Sequence, residues 1–311
     1  MKKNSKFTLI VTAVGFVLCT AVRLYSIVAC TDMTTGFYYH DSELLCNIIY
    51  FGLIILTFVG ALIAAHFDKQ NAFGDLKASD ITNGKAAVIG FGTLILALCA
   101  VYEGMGEAKQ LTPSSMLMIV DYVFAGLLAI LAFVVLYKKE FKPGLGFCYS
   151  AGGLYFTMRG IYCFNNRMVI ASVPEYLLEV LCIIGGAVSF IMIARFLSGN
   201  GEKLTKNALC GWGSATAVLT LSSGLAAILA DLLAPAEISG RITPSVYEAE
   251  MYRQTHFGID GYVMVYLPLV DLVMGLFVTA VLIVLLFTKP KNEPEADDAP
   301  AEEPAEINGE N

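Results

Sequence analysis

Long apolar runs separated by short polar segments dominate the pattern of this chain. Eight runs reach about 20 residues, the length of an α-helix that crosses a ~30 Å hydrocarbon core. A segment in lipid must satisfy its own backbone hydrogen bonds, and these runs are too long for barrel strands, so helices are predicted. The pattern therefore predicts an all-α polytopic membrane protein with eight transmembrane helices. The runs cover residues 7–29, 44–66, 85–105, 115–137, 144–164, 176–196, 210–233 and 262–287.

Charged residues recur inside these runs at a matched spacing. Arg23 lies in the first run and is followed twenty residues later by Glu43, and Arg159 in the fifth run is followed at the same distance by Glu179. Both pairs share an offset of 136 residues. Charges within lipid-length apolar segments are costly and therefore rare. Their repetition predicts that the chain consists of two tandem four-helix repeats.

A second pair of charges supports the duplication. Asp121 follows a valine near the start of the fourth run, and Asp271 follows a valine near the start of the eighth. Each repeat has an even number of spans, so both repeats would face the same way. The sequence then predicts a pseudo-two-fold axis along the membrane normal, as in transporters built from parallel repeats.

The predicted boundaries divide the chain into three parts. The first repeat covers residues 1–143, and the second covers 144–288 with a long outer loop at 234–261. Residues 289–311 are rich in proline, glutamate, aspartate and alanine and contain no aromatic residue. Such a segment cannot bury enough apolar surface to fold, so a disordered acidic cytoplasmic tail is predicted.

Lysines predict the orientation in the membrane. If the N-terminus is cytoplasmic, thirteen of the fourteen lysines fall on the cytoplasmic side and only Lys109 lies outside. The positive-inside rule then predicts that both termini are cytoplasmic. Compact loops and the lack of an Asn-x-Ser/Thr sequon in the sequence fit the inner (plasma) membrane of a bacterium.

The composition agrees with a membrane protein and argues against binding of nucleic acid or of a metal ion. The chain is 57% hydrophobic and 15% charged, whereas soluble domains are about 45–50% apolar and about 25% charged. Most of the net charge of −7 belongs to the acidic tail, so no basic surface for nucleic acid is expected. The eight cysteines and three histidines lack ligand spacing, which predicts no metal site and no cofactor.

Both arginines lie about 8–10 Å below the outer ends of their helices. Carboxylates at similar or shallower depth are the expected partners. The sequence leaves two interpretations open: closed ion pairs that fix helix packing, or an outward-facing charged cavity between the repeats that binds a ligand. The residues concerned in either case are Arg23, Glu43, Asp121, Arg159, Glu179 and Asp271.

Four further residues are secondary candidates. Glu103 and Asp231 lie at the outer ends of the third and seventh runs. Tyr252 and His256 belong to the loop 234–261, which distinguishes the second repeat from the first. This loop is interpreted either as a lid or partner surface or as an interfacial helix with tyrosines at headgroup depth.

Three classes of function follow from these features. No phosphate-binding loop, HExxH motif or GxSxG motif is present, so nothing in the sequence demands catalysis. The leading prediction is a permease or binding protein for a small solute or ion. The alternative is a membrane sensor or accessory subunit that contacts a membrane protein partner within the lipid bilayer. A third class is an intramembrane enzyme that acts on a lipid head group.

Overall fold

The computed structural model describes residues 3–30, 43–67, 76–108, 115–141, 143–167, 174–200, 203–233 and 267–288. These residues form eight α-helices and contain no β-strand, which confirms the all-α class. The helices are α1 Lys3–Cys30, α2 Glu43–His66, α3 Gly84–Ala108, α4 Ser115–Lys138, α5 Ser150–Arg167, α6 Pro174–Arg195, α7 Lys203–Leu233 and α8 Leu267–Phe287. Two 3-10 segments, Ala78–Asp80 and Pro143–Tyr149, and a π-helical turn, Phe196–Asn200, join some of them.

Five helices are long and apolar enough to cross a membrane. Their apolar segments are Phe7–Cys30, Leu45–His66, Gly84–Tyr102, Ile119–Lys138 and Val180–Gly199. The bundle also exposes large apolar side chains, such as Leu56 and Phe133. A soluble protein rarely exposes so much apolar surface, whereas lipid solvates it. These features indicate a membrane-embedded protein, and within the described residues five of the eight predicted spans correspond to helices that are long and apolar enough to cross a membrane.

Helix α7 is the buried element of the bundle. It packs against α1, α2, α6 and α8, and within residues 205–226 only Trp212 is exposed. Glycines allow this close packing: Gly211 lies against Phe58 of α2, and Gly213 lies against Leu282 of α8. Because α7 is surrounded by protein, its sequence can carry serines and threonines that lipid-facing helices avoid.

The packing of the helices does not confirm the predicted duplication. Neighbouring helices pair similarly in the two halves, since α1 packs on α2 and α5 on α6, while α3 packs on α4 and α7 on α8. A two-fold axis that brings α7 against α1 and α2 should also bring α3 against α5 and α6. Among the described residues, α3 instead packs against α4 and α8 and makes no comparable contact with α5 or α6.

Lysines cluster at one end of the bundle, here termed the lysine end (Lys77, Lys85, Lys138, Lys139 and Lys206). Lys85 Nζ at the start of α3 donates a 2.9 Å hydrogen bond to the carbonyl of Phe287, at the end of α8. Carbonyls in the last turn of a helix have no partner within that helix, so this lysine satisfies one of them. The opposite end of the bundle, where the chain places Glu43, Glu103, Glu179 and Asp231, is termed the carboxylate end.

Lys206 is the buried member of the lysine end. Its Nζ donates a 2.7 Å hydrogen bond to the carbonyl of Leu76 and lies 5.8 Å from the ring centroid of Phe196. This contact ties the start of α7 to the segment that precedes α3. The buried lysine therefore holds the start of α7 against a segment that is 130 residues away in the sequence.

Replacing Lys206 by methionine is expected to lower the stability of the protein by about 1–3 kcal/mol, because a buried carbonyl loses its donor. Thermal unfolding of the purified protein in detergent measures the change. Lys138→Met is the matched control, since Lys138 is exposed at the same end. Equal midpoints for the two variants would contradict a structural role for the buried ammonium group.

Candidate functional site

Hydroxyl groups of α7 form hydrogen bonds with three different helices. Thr12 Oγ1 of α1 donates to Ser214 Oγ at 2.9 Å, and Ser189 Oγ of α6 donates to Thr216 Oγ1 at 3.0 Å. Nearer the carboxylate end, the hydroxyl of Tyr50 in α2 lies 2.7 Å from Ser222 Oγ. We call these three pairs the hydroxyl seam. Polar groups in a membrane-embedded bundle are stable when they find such partners.

Several buried polar groups meet at Tyr50 of α2. Its ring is buried, with 3% of the residue exposed, and its hydroxyl also donates to the carbonyl of Leu219 at 3.3 Å. Arg23 and Cys19 of α1 and Cys182 of α6 interact electrostatically with this hydroxyl. Helices α1, α2, α6 and α7 thus each contribute a polar group to one buried region, here termed the Tyr50 cluster (Cys19, Arg23, Tyr50, Cys182 and Ser222).

Arg23 lies seven residues before the end of α1, which corresponds to a depth of about 10 Å. It is 5% exposed, and its NH1 group donates a long, 3.5 Å hydrogen bond to Ser26 Oγ. It also interacts electrostatically with Cys46 of α2. Helix α1 packs against α2 and α7 but not extensively against α4 within the described residues. The packing therefore places Arg23 beside α2, which carries Glu43.

Asp121 lies at a level similar to that of Arg159. The rings of Phe124 in α4 and Tyr155 in α5 stack with centroids 4.5 Å apart and planes inclined by 12°. Asp121 and Arg159 are each one turn closer to the carboxylate end, about 4.5 Å and about 6 Å along their helices. Both are buried, with 2% and 7% of the residue exposed. The junction of α4 and α5 therefore brings together charged positions that the sequence assigned to different repeats.

Helix α8 approaches the same region through α6. A Cβ atom at Gly186 of α6 would meet both Phe156 of α5 and Met274 of α8. Arg159 lies one turn from Phe156, and position 271 lies one turn from Met274, both toward the carboxylate end. The backbone of α8 thus places position 271 at a level similar to that of Arg159.

Several predicted site residues have side chains that lie outside the described part of the structure. Glu43, Glu103, Glu179, Asp231 and Asp271 belong to helices, but their side chains lie outside the described part of the structure, as do Tyr252, His256, the loop 234–261 and the tail 289–311. Among the side chains that are described, no group of three or more histidine, cysteine, aspartate or glutamate residues could hold a metal ion.

Sequence reasoning missed Tyr50 and the hydroxyl seam. Tyr50 is an ordinary aromatic residue of an apolar run, and its partner Ser222 is 172 residues away. A detectable pattern did exist in α7, where Ser214, Thr216, Thr220 and Ser222 recur in an otherwise apolar stretch. Hydroxyl residues at such spacing indicate a helix that faces protein on several sides.

Comparison of this chain with protein families, with curated proteins and with solved structures finds no match.

Proposed function

We propose that this membrane-embedded protein binds a small solute or ion at the Tyr50 cluster and moves it across the membrane. The observation that carries the proposal is the convergence of polar groups from four helices, including buried Arg23, on the hydroxyl of Tyr50. An arginine in the middle of a transmembrane helix costs about 2.5–3.5 kcal/mol on insertion scales and marks a functional site by default. Both halves of the chain contribute residues to the cluster.

The donors of the cluster suggest the chemistry of the ligand. A guanidinium group and hydroxyl groups donate hydrogen bonds, and a planar guanidinium matches carboxylate or phosphate oxygens well. An oxygen-rich anion is therefore the first solute to test. The nearby carboxylate end, with four acidic positions, makes a cation the second.

The proposal includes a topology for the protein. The lysine end faces the cytoplasm together with both termini, and the carboxylate end faces outward, as the positive-inside rule favours. The Tyr50 cluster would then open toward the outside of a bacterial plasma membrane. The matched charged positions at an offset of 136 residues support an origin by duplication of a four-helix unit. Membrane partners would contact the lipid-exposed faces or the acidic tail.

Replacing Tyr50 by phenylalanine tests the site while keeping the buried ring. We expect ligand affinity to fall about tenfold, because a buried hydroxyl that orients the ligand and neighbouring groups is lost. Purified protein is screened for ligand-induced shifts in thermal midpoint with a panel of anions and cations, and each hit is followed by uptake into proteoliposomes. Tyr25→Phe is the matched control, because Tyr25 lies in α1 near Arg23 and is 62% exposed.

Binding and uptake by the two variants distinguish the possible outcomes. Weaker binding and slower uptake in Tyr50→Phe alone would support the proposal. Unchanged binding in both variants, or equal loss in both, would contradict it.

A second function, a non-transporting sensor or accessory subunit, is favoured by one observation. The hydroxyls of α7 already bond to neighbouring helices, so the polar residues can serve packing alone. In that case Tyr50→Phe would lower the thermal midpoint, no compound of the panel would bind the wild-type protein, and a membrane partner would copurify with it.

A further inference from the structure

Two thiols meet at the carboxylate ends of α1 and α2. Cys30 is the last residue of α1, and Cys46 lies in the first turn of α2. Their Sγ atoms are 3.5 Å apart, and both residues are buried. Helices α1 and α2 pack along their length, so the contact between the thiols is part of a larger interface.

The geometry requires little change for a covalent bond. The S–S distance in a disulfide is about 2.05 Å, so the sulfur atoms must approach by about 1.5 Å. Cys30 and Cys46 belong to terminal turns, where backbone groups lack part of their helical hydrogen bonds and can adjust. Cys19, the next cysteine in α1, lies eleven residues away, or about 16 Å along the helix, and does not compete for either sulfur.

We propose that Cys30 and Cys46 form a disulfide that joins the carboxylate ends of α1 and α2. The oxidant is a disulfide-bearing thiol oxidant on the outer face of the membrane, where disulfides persist. The Cys46 thiolate attacks the oxidant and releases one of its sulfurs as a thiolate, and the Cys30 thiolate then displaces the other. The two thiol protons pass to the released thiolates, so one disulfide forms while the oxidant is reduced to a dithiol.

The bond would fix the region around Arg23. It would close a loop over residues 31–45, and Cys46 lies one turn from Tyr50 and interacts with Arg23. A cross-link at this point holds α1 and α2 in register beside the Tyr50 cluster. This inference rests on the proposed topology, in which the carboxylate end faces outward, but not on what the cluster binds.

Mass spectrometry of the full-length protein tests the proposal. Membranes are lysed in excess N-ethylmaleimide, and the protein is purified, denatured without reductant and digested. We expect a cross-linked peptide pair that contains Cys30 and Cys46, carries no maleimide on either residue and separates after treatment with dithiothreitol. Cys30→Ser and Cys46→Ser should each abolish it, whereas the control Cys148→Ser, at the lysine end, should leave it intact.

A second measurement uses stability. Reduction of the wild-type protein should lower its thermal midpoint by about 5 °C, since a loop of this size becomes unconstrained. The double variant Cys30→Ser, Cys46→Ser should show no redox-dependent shift. Maleimide on both cysteines of protein taken directly from the membrane would overturn the proposal. So would a bond from either cysteine to a different partner.

Discussion

Replacing Gly146 by alanine is expected to prevent stable folding. Gly146 lies in the 3-10 segment Pro143–Tyr149 at the lysine end, where a Cβ atom would overlap the backbone of Leu197 and Ser198. A clash with backbone cannot be relieved by rotation of a side chain, so the two segments must separate. We expect a loss of about 3 kcal/mol or more, measured as a large drop in the yield of monodisperse protein and in the thermal midpoint.

Gly126→Ala provides the control for this prediction. Gly126 lies in α4, where a Cβ atom would meet nothing within 4 Å. Alanine is also the better helix former, by about 1 kcal/mol in water. This variant should therefore unfold at or slightly above the wild-type midpoint. Similar midpoints for Gly146→Ala and Gly126→Ala would show that the contact with Leu197 and Ser198 is not tight.

Reversing the charge of Arg23 should also be severely destabilising. The residue is 5% exposed, so the groups around it in the bundle accommodate a positive charge. Reversing a buried charge costs about 3–5 kcal/mol, because the groups that accommodate the original charge are left uncompensated. Arg23→Glu should thus lower the thermal midpoint and the yield from membranes, while Arg23→Lys should lie between it and the wild type.

Two further variants test whether the loss of stability is specific to Arg23 and whether Glu43 is its partner. Arg195→Glu is the control, because Arg195 is exposed at the end of α6 and charge reversal there should change little. The double variant Arg23→Glu, Glu43→Arg tests the neighbour that the packing of α1 on α2 suggests. Recovery of both stability and ligand binding would indicate a structural pair, and recovery of stability alone would indicate that Arg23 contacts the ligand. A midpoint for Arg23→Glu equal to that of Arg195→Glu would contradict the buried role of Arg23.

The disulfide proposal and the charge reversal concern the same helix pair but remain separable. Cys30 lies seven residues beyond Arg23 in α1, so the cross-link and the cation act on different turns. A Cys30→Ser, Cys46→Ser protein should keep the stability difference between Arg and Glu at position 23. If this stability difference disappeared in the protein without the two cysteines, the effects of Arg23 and of the Cys30–Cys46 bond on stability would not be independent.

The predicted duplication rests on the matched positions of Arg23 with Arg159 and of Asp121 with Asp271. Two repeats related by a two-fold axis would give these positions matched surroundings. Among the described residues, however, Arg23 belongs to the cluster around α7, and Arg159 lies at the junction of α4, α5 and α6. Apolar helices can pack through several faces, so similar sequences do not ensure similar neighbours.

The sequence by itself determined the properties that depend on local interactions. Helices follow from apolar length, because each backbone group in lipid must bond within its own segment, and five of the eight predicted spans meet the test of length and apolarity. Arg23, Asp121 and Arg159 could be singled out because a charge in such a segment is costly wherever it packs.

Only the tertiary structure decided which groups meet. Tyr50 bonds to Ser222 across 172 residues, Cys30 meets Cys46 across 16 residues, and Asp121 lies at a level similar to that of Arg159. These contacts depend on which helix faces touch, and that choice is made by small residues and side-chain shape along the whole interface. No single residue determines which helix faces touch, so the Tyr50 cluster could not be predicted from the sequence.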